Sequence, residues 1–264
     1  KHLGDDPNAI EHYQQAITIA REIGDKRHEG IPLGNLGTAY KELGDFPKAI
    51  EHYQQAITIT REIGDKRHEG IFLGNLGELT LKQNQIDEAG VALREAITIC
   101  DETFPVAAGA FRGSLALLLA EQDQLDEARE LLTTGESQVE TMPDEHAKFL
   151  CKKGQILHIA GEADHAAEAL AQAQAIAGEL KVEPESELGQ ALEKLAAVLG
   201  VELESAEESG EAVEEDEERE LAILEGERLL ELGTIEREES NLIEAKERYT
   251  EALALFRQIK HPNG

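Results

Sequence analysis

The chain has 264 residues, and its 55 Asp and Glu residues against 25 Lys and Arg residues give a formal net charge of −30 at pH 7. We therefore expect no nucleic-acid partner, because binding to a phosphate backbone requires a basic face. Aromatic residues make up only 4% and tryptophan is absent. This composition favours helices that pack through small and aliphatic side chains, so we predict an all-α protein.

The chain carries no sign of membrane insertion or secretion. Its longest apolar run, at 115–120, is far shorter than the roughly 20 residues that span a bilayer, and no signal-peptide pattern opens the sequence. Two isolated cysteines, Cys100 and Cys151, are too few for a disulfide framework. We predict a cytoplasmic protein without a membrane partner. The only methionine is Met142, so we expect the chain to begin inside a longer protein.

A repeat dominates the sequence. Residues 7–37 recur at 47–77 with differences at only three of 31 positions, which gives a period of 40 residues. Gly44 and Asp45 have the character of a helix stop followed by an N-cap, and Gly64 and Asp65 repeat that signal. Each unit is therefore predicted to contain two helices of roughly 17 residues.

Both predicted helices of a unit carry an apolar stripe at helical spacing. The first helix presents Leu33, Leu36, Gly37, Tyr40 and Leu43, and the second presents Ala49, Ile50, Tyr53, Ala56, Ile57 and Thr60. A glycine inside a helix costs about 1 kcal/mol relative to alanine. Because Gly37 recurs as Gly77, we expect two helix backbones to approach closely at that position.

These residues resemble the signature of the tetratricopeptide repeat (TPR). The matching positions are Leu33, Leu36, Gly37, Tyr40, Ala49, Tyr53 and Ala56. The 40-residue variant is similar to the repeats of LGN/Pins adaptors and of kinesin light chains. The resemblance implies a right-handed α-α superhelix of antiparallel helix pairs.

The TPR pattern continues along the chain with one interruption. We predict a solenoid of about four to five helix pairs over residues 1–200, the first pair being partial, and a C-terminal pair over 220–264. Between them, residues 202–218 contain ten acidic residues and no basic one. Self-repulsion at that density favours a solvated linker over 201–219, although a degenerate helix also fits the spacing.

No pattern for catalysis or metal binding is found. The chain lacks nucleotide-binding, zinc-protease, serine-hydrolase and calcium-loop motifs. Cys151, His158 and His165 do not have a recognised zinc spacing. His12 and its copy His52 are predicted to be solvated. We therefore predict that the protein is not an enzyme and binds neither a cofactor nor a metal.

In the TPR family the first helices line a concave groove that holds peptides from partner proteins. Carried over by position, the groove residues are Asn35, Thr38, Glu42, Asn75, Glu78, Lys82, Ser114, Glu121, Lys152, Gln155 and His158. Asn35 and Asn75 resemble a backbone clamp, since an amide side chain both donates and accepts hydrogen bonds. The alternative is that all of these are ordinary polar surface residues.

The charge and the chain ends leave several functions open. An acidic solenoid favours basic or neutral protein segments, unless the charge serves solubility alone. The main prediction is a non-catalytic scaffold that binds a peptide segment of a partner. The alternatives are a regulatory sensor arm of a larger signalling protein and a self-assembling solenoid, in which uncapped terminal repeats associate head to tail.

Overall fold

The computed structural model describes residues 9–203, and within this range it contains ten helices and no strand. The helices are α1 (Ala9–Ile23), α2 (Lys26–Glu42), α3 (Phe46–Ile63), α4 (Lys66–Lys82), α5 (Ile86–Thr103), α6 (Pro105–Glu121), α7 (Leu125–Val139), α8 (Pro143–Ile159), α9 (Ala163–Glu179) and α10 (Glu187–Leu199). None of the helices in the described range is long and apolar enough to cross a membrane.

The helices form the predicted stack of helix pairs. The even-numbered helices α2 to α10 are the first helices of their units, and the odd-numbered helices are the second helices. Each of α2, α4, α6 and α8 packs against the second helix that follows it and against the one that precedes it. The predicted all-α repeat fold is thus confirmed. Most of the predicted acidic segment 201–219 and all of the predicted pair 220–264 lie outside the described residues.

The predicted helix stops and starts are confirmed at the turns. Gly44 and Gly64 adopt left-handed backbone conformations, with φ of 74° and 71°. Asp45 caps α3 by accepting a hydrogen bond from the backbone N–H of Lys48 at 3.4 Å. In the next unit Asn84 takes the turn position with φ of 59°. Asparagine tolerates this region better than most residues do, so the turn survives the loss of glycine.

Successive first helices are joined by an aromatic ring that packs on a glycine. The seventh residue of each of three first helices contacts the ninth residue of the first helix before it. The pairs are Phe72 with Gly34, Phe111 with Gly74, and Phe149 with Gly113. A Cβ atom on Gly34 would lie 2.0 Å from Cζ of Phe72, and one on Gly74 would lie 2.1 Å from Cζ of Phe111. Only glycine leaves space for the ring.

Gly37 and Gly77 are each the twelfth residue of their first helix, and each faces a large side chain of the following second helix. A Cβ atom on Gly37 would lie 2.8 Å from Cδ1 of Tyr53, and one on Gly77 would lie 2.9 Å from Cγ of Leu93. Tyr53 and Leu93 are fully buried side chains of the second helices. The expected close approach of two backbones is found at Gly77, where a Cβ atom would also lie 3.3 Å from the backbone nitrogen of Leu93, but it is wrong at Gly37, where the Tyr53 side chain fills the space.

An ion pair between a half-exposed arginine and a buried glutamate connects α1 to α2 and α3 to α4. Arg61 near the end of α3 donates from Nε to Oε1 of Glu69 at 2.7 Å, and Lys66 donates from Nζ to Oε2 at 2.7 Å. The Glu69 side chain is 2% exposed. Burial alone would raise the pKa of Glu69, but the hydrogen bonds from Lys66 and Arg61 outweigh it and lower the pKa. Arg21 and Glu29 repeat the contact one unit earlier.

We predict that Gly74→Ala lowers the free energy of unfolding by about 1–3 kcal/mol, because the new methyl group overpacks against Phe111. The matched control is Gly90→Ala in α5, where a Cβ atom would lie 3.7 Å from Leu118 in ordinary contact. That control should gain up to about 1 kcal/mol from helix propensity. Guanidinium unfolding followed by circular dichroism measures both, and equal stability of the two variants would contradict the prediction.

We also predict that Glu69→Gln lowers the free energy of unfolding by about 1–3 kcal/mol at pH 7, because it removes a buried charged acceptor. The pKa of Glu69 is lowered in the folded state. The stabilisation is therefore complete above the unfolded-state pKa and is lost as the pH falls through the folded-state pKa. Urea unfolding at pH 7 and pH 3 measures the difference from wild type, which should shrink at pH 3. Glu88→Gln, at an exposed position of α5, is the control and should change stability by only a few tenths of a kcal/mol.

Candidate functional site

Four first helices present the predicted groove positions in two rows. The tenth residues of α2, α4, α6 and α8 are Asn35, Asn75, Ser114 and Lys152. The thirteenth residues are Thr38, Glu78, Leu117 and Gln155. Residues three apart lie on the same side of a helix. The surface formed by these eight residues is called the first-helix face below.

At its α2 end, the first-helix face is connected to the core. Oγ1 of Thr38 lies 3.0 Å from the hydroxyl oxygen of Tyr53, a fully buried side chain of α3. Burial raises the pKa of Tyr53 to about 12, although hydrogen bonding with Thr38 and Asn75 opposes the increase. Tyr53 is therefore a neutral phenol at physiological pH. Its hydroxyl group forms hydrogen bonds with Thr38 and Asn75 of the first-helix face.

In its middle part, the face contains a hydrogen-bonded network across three helices. Ser114 of α6 donates from Oγ to Oε1 of Glu78 of α4 at 2.5 Å. Lys152 of α8 donates from Nζ to Oγ of Ser114 at 2.7 Å, to Oε1 of Glu78 at 3.2 Å and to the Ala110 carbonyl oxygen at 3.4 Å. The structure thus joins three of the predicted groove residues, which come from three different units.

Glu78 is held as a carboxylate. Burial alone would raise its pKa, but the charge of Lys152, the hydrogen bond from Ser114 and the charge of Lys41 lower the pKa to about 2. Its side chain is 25% exposed and that of Lys152 is 26% exposed, so this ion pair is partly accessible to solvent. A negative charge is therefore present in the first-helix face throughout the physiological pH range.

A second charged group lies next to this network and was not among the predicted residues. Lys148 of α8 is surrounded by Asp144 at 2.6 Å, Glu145 at 3.1 Å and Glu187 of α10 at 3.2 Å. Burial would lower the pKa of Lys148, but these carboxylates raise it above its usual range. Lys148 lies four residues before Lys152, and this helical spacing is the signal that could have identified it.

The remaining predicted groove residues are not joined to the network. Glu42, Lys82, Glu121 and His158 are exposed near the ends of their helices, and none of them forms a side-chain hydrogen bond with another residue of the described range. Gln155 is buried, and its Nε2 donates to the Cys151 carbonyl oxygen at 3.2 Å. Asn35 and Asn75 are half-buried.

The histidines and cysteines form no reactive group in the described part of the chain. Burial raises the pKa of Cys100 to about 11 and that of Cys151 to about 12, so both thiols stay protonated. Among residues 9–203, no three His, Cys, Asp or Glu side chains converge as metal ligands. His12 is exposed as predicted, but His52 is half-buried because its ring stacks on Tyr40 at a centroid distance of 5.3 Å.

Comparisons with known proteins agree with this geometry. The family model of the MalT-like TPR region matches residues 1–143. The nearly identical TPR-like repeats of a Podosopora anserina protein assigned as a kinesin light chain are 20% identical, with 67% of this chain and 88% of that chain covered and a TM-score of 0.51. The apo form of RapI is 14% identical, with coverages of 96% and 92% and a TM-score of 0.60.

A third solved structure with this fold is the Rap conjugation gene regulator of the plasmid pLS20 in complex with the Phr* peptide. It is 16% identical, with 96% of this chain and 69% of that chain covered and a TM-score of 0.59. A comparison with curated protein sequences gives no match. These similarities show the fold.

Proposed function

Since the chain belongs to the tetratricopeptide-repeat proteins with a MalT-like TPR region, we propose that it is a non-catalytic scaffold that binds an extended peptide segment of a partner along the first-helix face. The observation that carries this proposal is the recurrence of Asn35 as Asn75. Both are the tenth residue of a first helix, and both are half-buried. They present the same donor and acceptor groups in successive units.

The spacing of the helices suits an extended peptide. Packed helices lie about 8–10 Å apart, and an extended chain advances about 3.3–3.6 Å per residue. Each unit would therefore face roughly three peptide residues, and the two asparagines would contact peptide groups about three residues apart. Amide side chains bind the main chain of the ligand without requiring a particular ligand side chain.

The charge supports a basic or neutral partner. The formal charge of −30 attracts basic segments over a distance and repels acidic ones. The complex of the Rap regulator of pLS20 with the Phr* peptide shows that this fold is able to hold a peptide. A sensor arm of a larger protein would use the same peptide site, so it does not require a different surface.

We predict that Asn35→Ala together with Asn75→Ala weakens peptide binding by about tenfold or more, because two main-chain hydrogen bonds of about 0.5–1.5 kcal/mol each are lost. The probe is a synthetic peptide selected against the wild-type protein from a phage library of random twelve-residue sequences. Fluorescence anisotropy at low and high salt measures affinity, which should fall with salt. The control is Gln14→Ala together with Gln54→Ala, equivalent exposed positions of α1 and α3. Unchanged affinity of the asparagine double variant would contradict the proposal.

A further inference from the structure

Glu78 has hydrogen-bonding capacity that the described residues do not use. Its Oε1 atom accepts from Ser114 at 2.5 Å and from Lys152 at 3.2 Å. Within residues 9–203, no hydrogen bond is formed with its other oxygen, Oε2. A carboxylate has about four lone-pair sites. Because the side chain is 25% exposed, Oε2 is able to accept a hydrogen bond from a group that arrives from solvent.

Lys152 has no corresponding spare capacity. Its ammonium group has three donors, and these are matched by Oε1 of Glu78, Oγ of Ser114 and the carbonyl oxygen of Ala110. A carboxylate of a ligand would have to displace one of these acceptors before it could pair with Lys152. The network therefore favours an incoming donor over an incoming acid.

The titratable groups that lie near Glu78 come from four helices. They are Lys41 of α2, Tyr53 of α3, Lys152 of α8 and Glu187 of α10. The two lysines keep Glu78 ionised, and Tyr53 is neutral. Lys152 already pairs with Glu78, and the charge of Lys41 acts on both Glu78 and Glu187. The surroundings therefore do not prevent a further cation from approaching Oε2.

We propose that Glu78 selects a lysine or arginine side chain of the bound peptide, with Oε2 as the acceptor. Ser114 and Lys152 are positioning residues, because they hold Oε1 and leave Oε2 without a hydrogen-bond partner among residues 9–203. Glu78 lies one turn beyond Asn75 on α4, which places the selected basic residue next to the peptide segment held by Asn75. This inference rests on the proposed function, since it concerns the same peptide site.

The first experiment selects twelve-residue peptides from the random phage library against wild-type protein and against Glu78→Gln. Peptides selected on wild type should be enriched in Lys or Arg at one position, and peptides selected on Glu78→Gln should not. A synthetic peptide of the best wild-type sequence should bind Glu78→Gln about tenfold to hundredfold more weakly. Glu130→Gln, an exposed position of the second helix α7, makes the same charge change and should stay within twofold. Thermal melting verifies that each variant is folded.

The second experiment tests the positioning role through pH. The pKa of Glu78 is about 2, so the affinity of wild type for the basic peptide should not change between pH 7 and pH 5. Lys152→Met removes the cation that opposes the effect of burial on the pKa, so the pKa of Glu78 rises and affinity should fall as the pH is lowered to 5. A merely structural role of Lys152 would weaken binding equally at both pH values.

The outcomes separate this inference from the proposed function. If the asparagine double variant loses affinity while Glu78→Gln binds normally, or if the selected peptides show no preference for Lys or Arg, the role of Glu78 is wrong and the peptide site stands. If the asparagine double variant and Glu78→Gln both bind every selected peptide as wild type does, the peptide site on the first-helix face is wrong and this inference is overturned with it.

Discussion

The contact between a phenylalanine ring and a glycine of the preceding first helix determines how the units stack. Without a Cβ atom at Gly34 or Gly74, the ring of Phe72 or Phe111 reaches the backbone of the neighbouring helix. A close-packed contact of this kind has little tolerance, because even one added methyl group must displace the ring. The distance between successive first helices therefore depends on the residue with no side chain.

The first-helix face depends on the same packing. The seventh and ninth residues of a first helix form the ring-to-glycine contacts with the neighbouring first helices. The tenth and thirteenth residues therefore lie beside these contacts and not within them. In α6 the tenth residue is Ser114, a short side chain next to Gly113. The long side chain of Lys152 is able to pass over it and to reach Glu78 two units away. A larger residue in the position of Ser114 would separate the two charges.

The sequence predicts the helices and turns because their signals are local. A glycine with positive φ, an aspartate cap and an apolar stripe each occur within a few residues, as Gly44 and Asp45 show. The contact partner of Gly37 could not be predicted from the sequence. A glycine inside a helix indicates that a neighbouring group comes close, but it does not indicate whether that group is a backbone or a side chain. The network of Glu78 and Lys152 joins residues 74 positions apart, so it depends on helix spacing that no local pattern encodes.

The ring-to-glycine contact also bears on how such a chain changes length during evolution. The three junctions from α2 to α8 join the seventh residue of one first helix to the ninth residue of the one before it, and α4 and α6 each carry both halves. Recombination between the nearly identical stretches 7–37 and 47–77 would remove one whole unit and still place the Phe111 ring opposite a glycine, because Gly34 and Gly74 are equivalent. The number of units, and with it the length of the binding surface, can therefore vary without any new interface having to evolve.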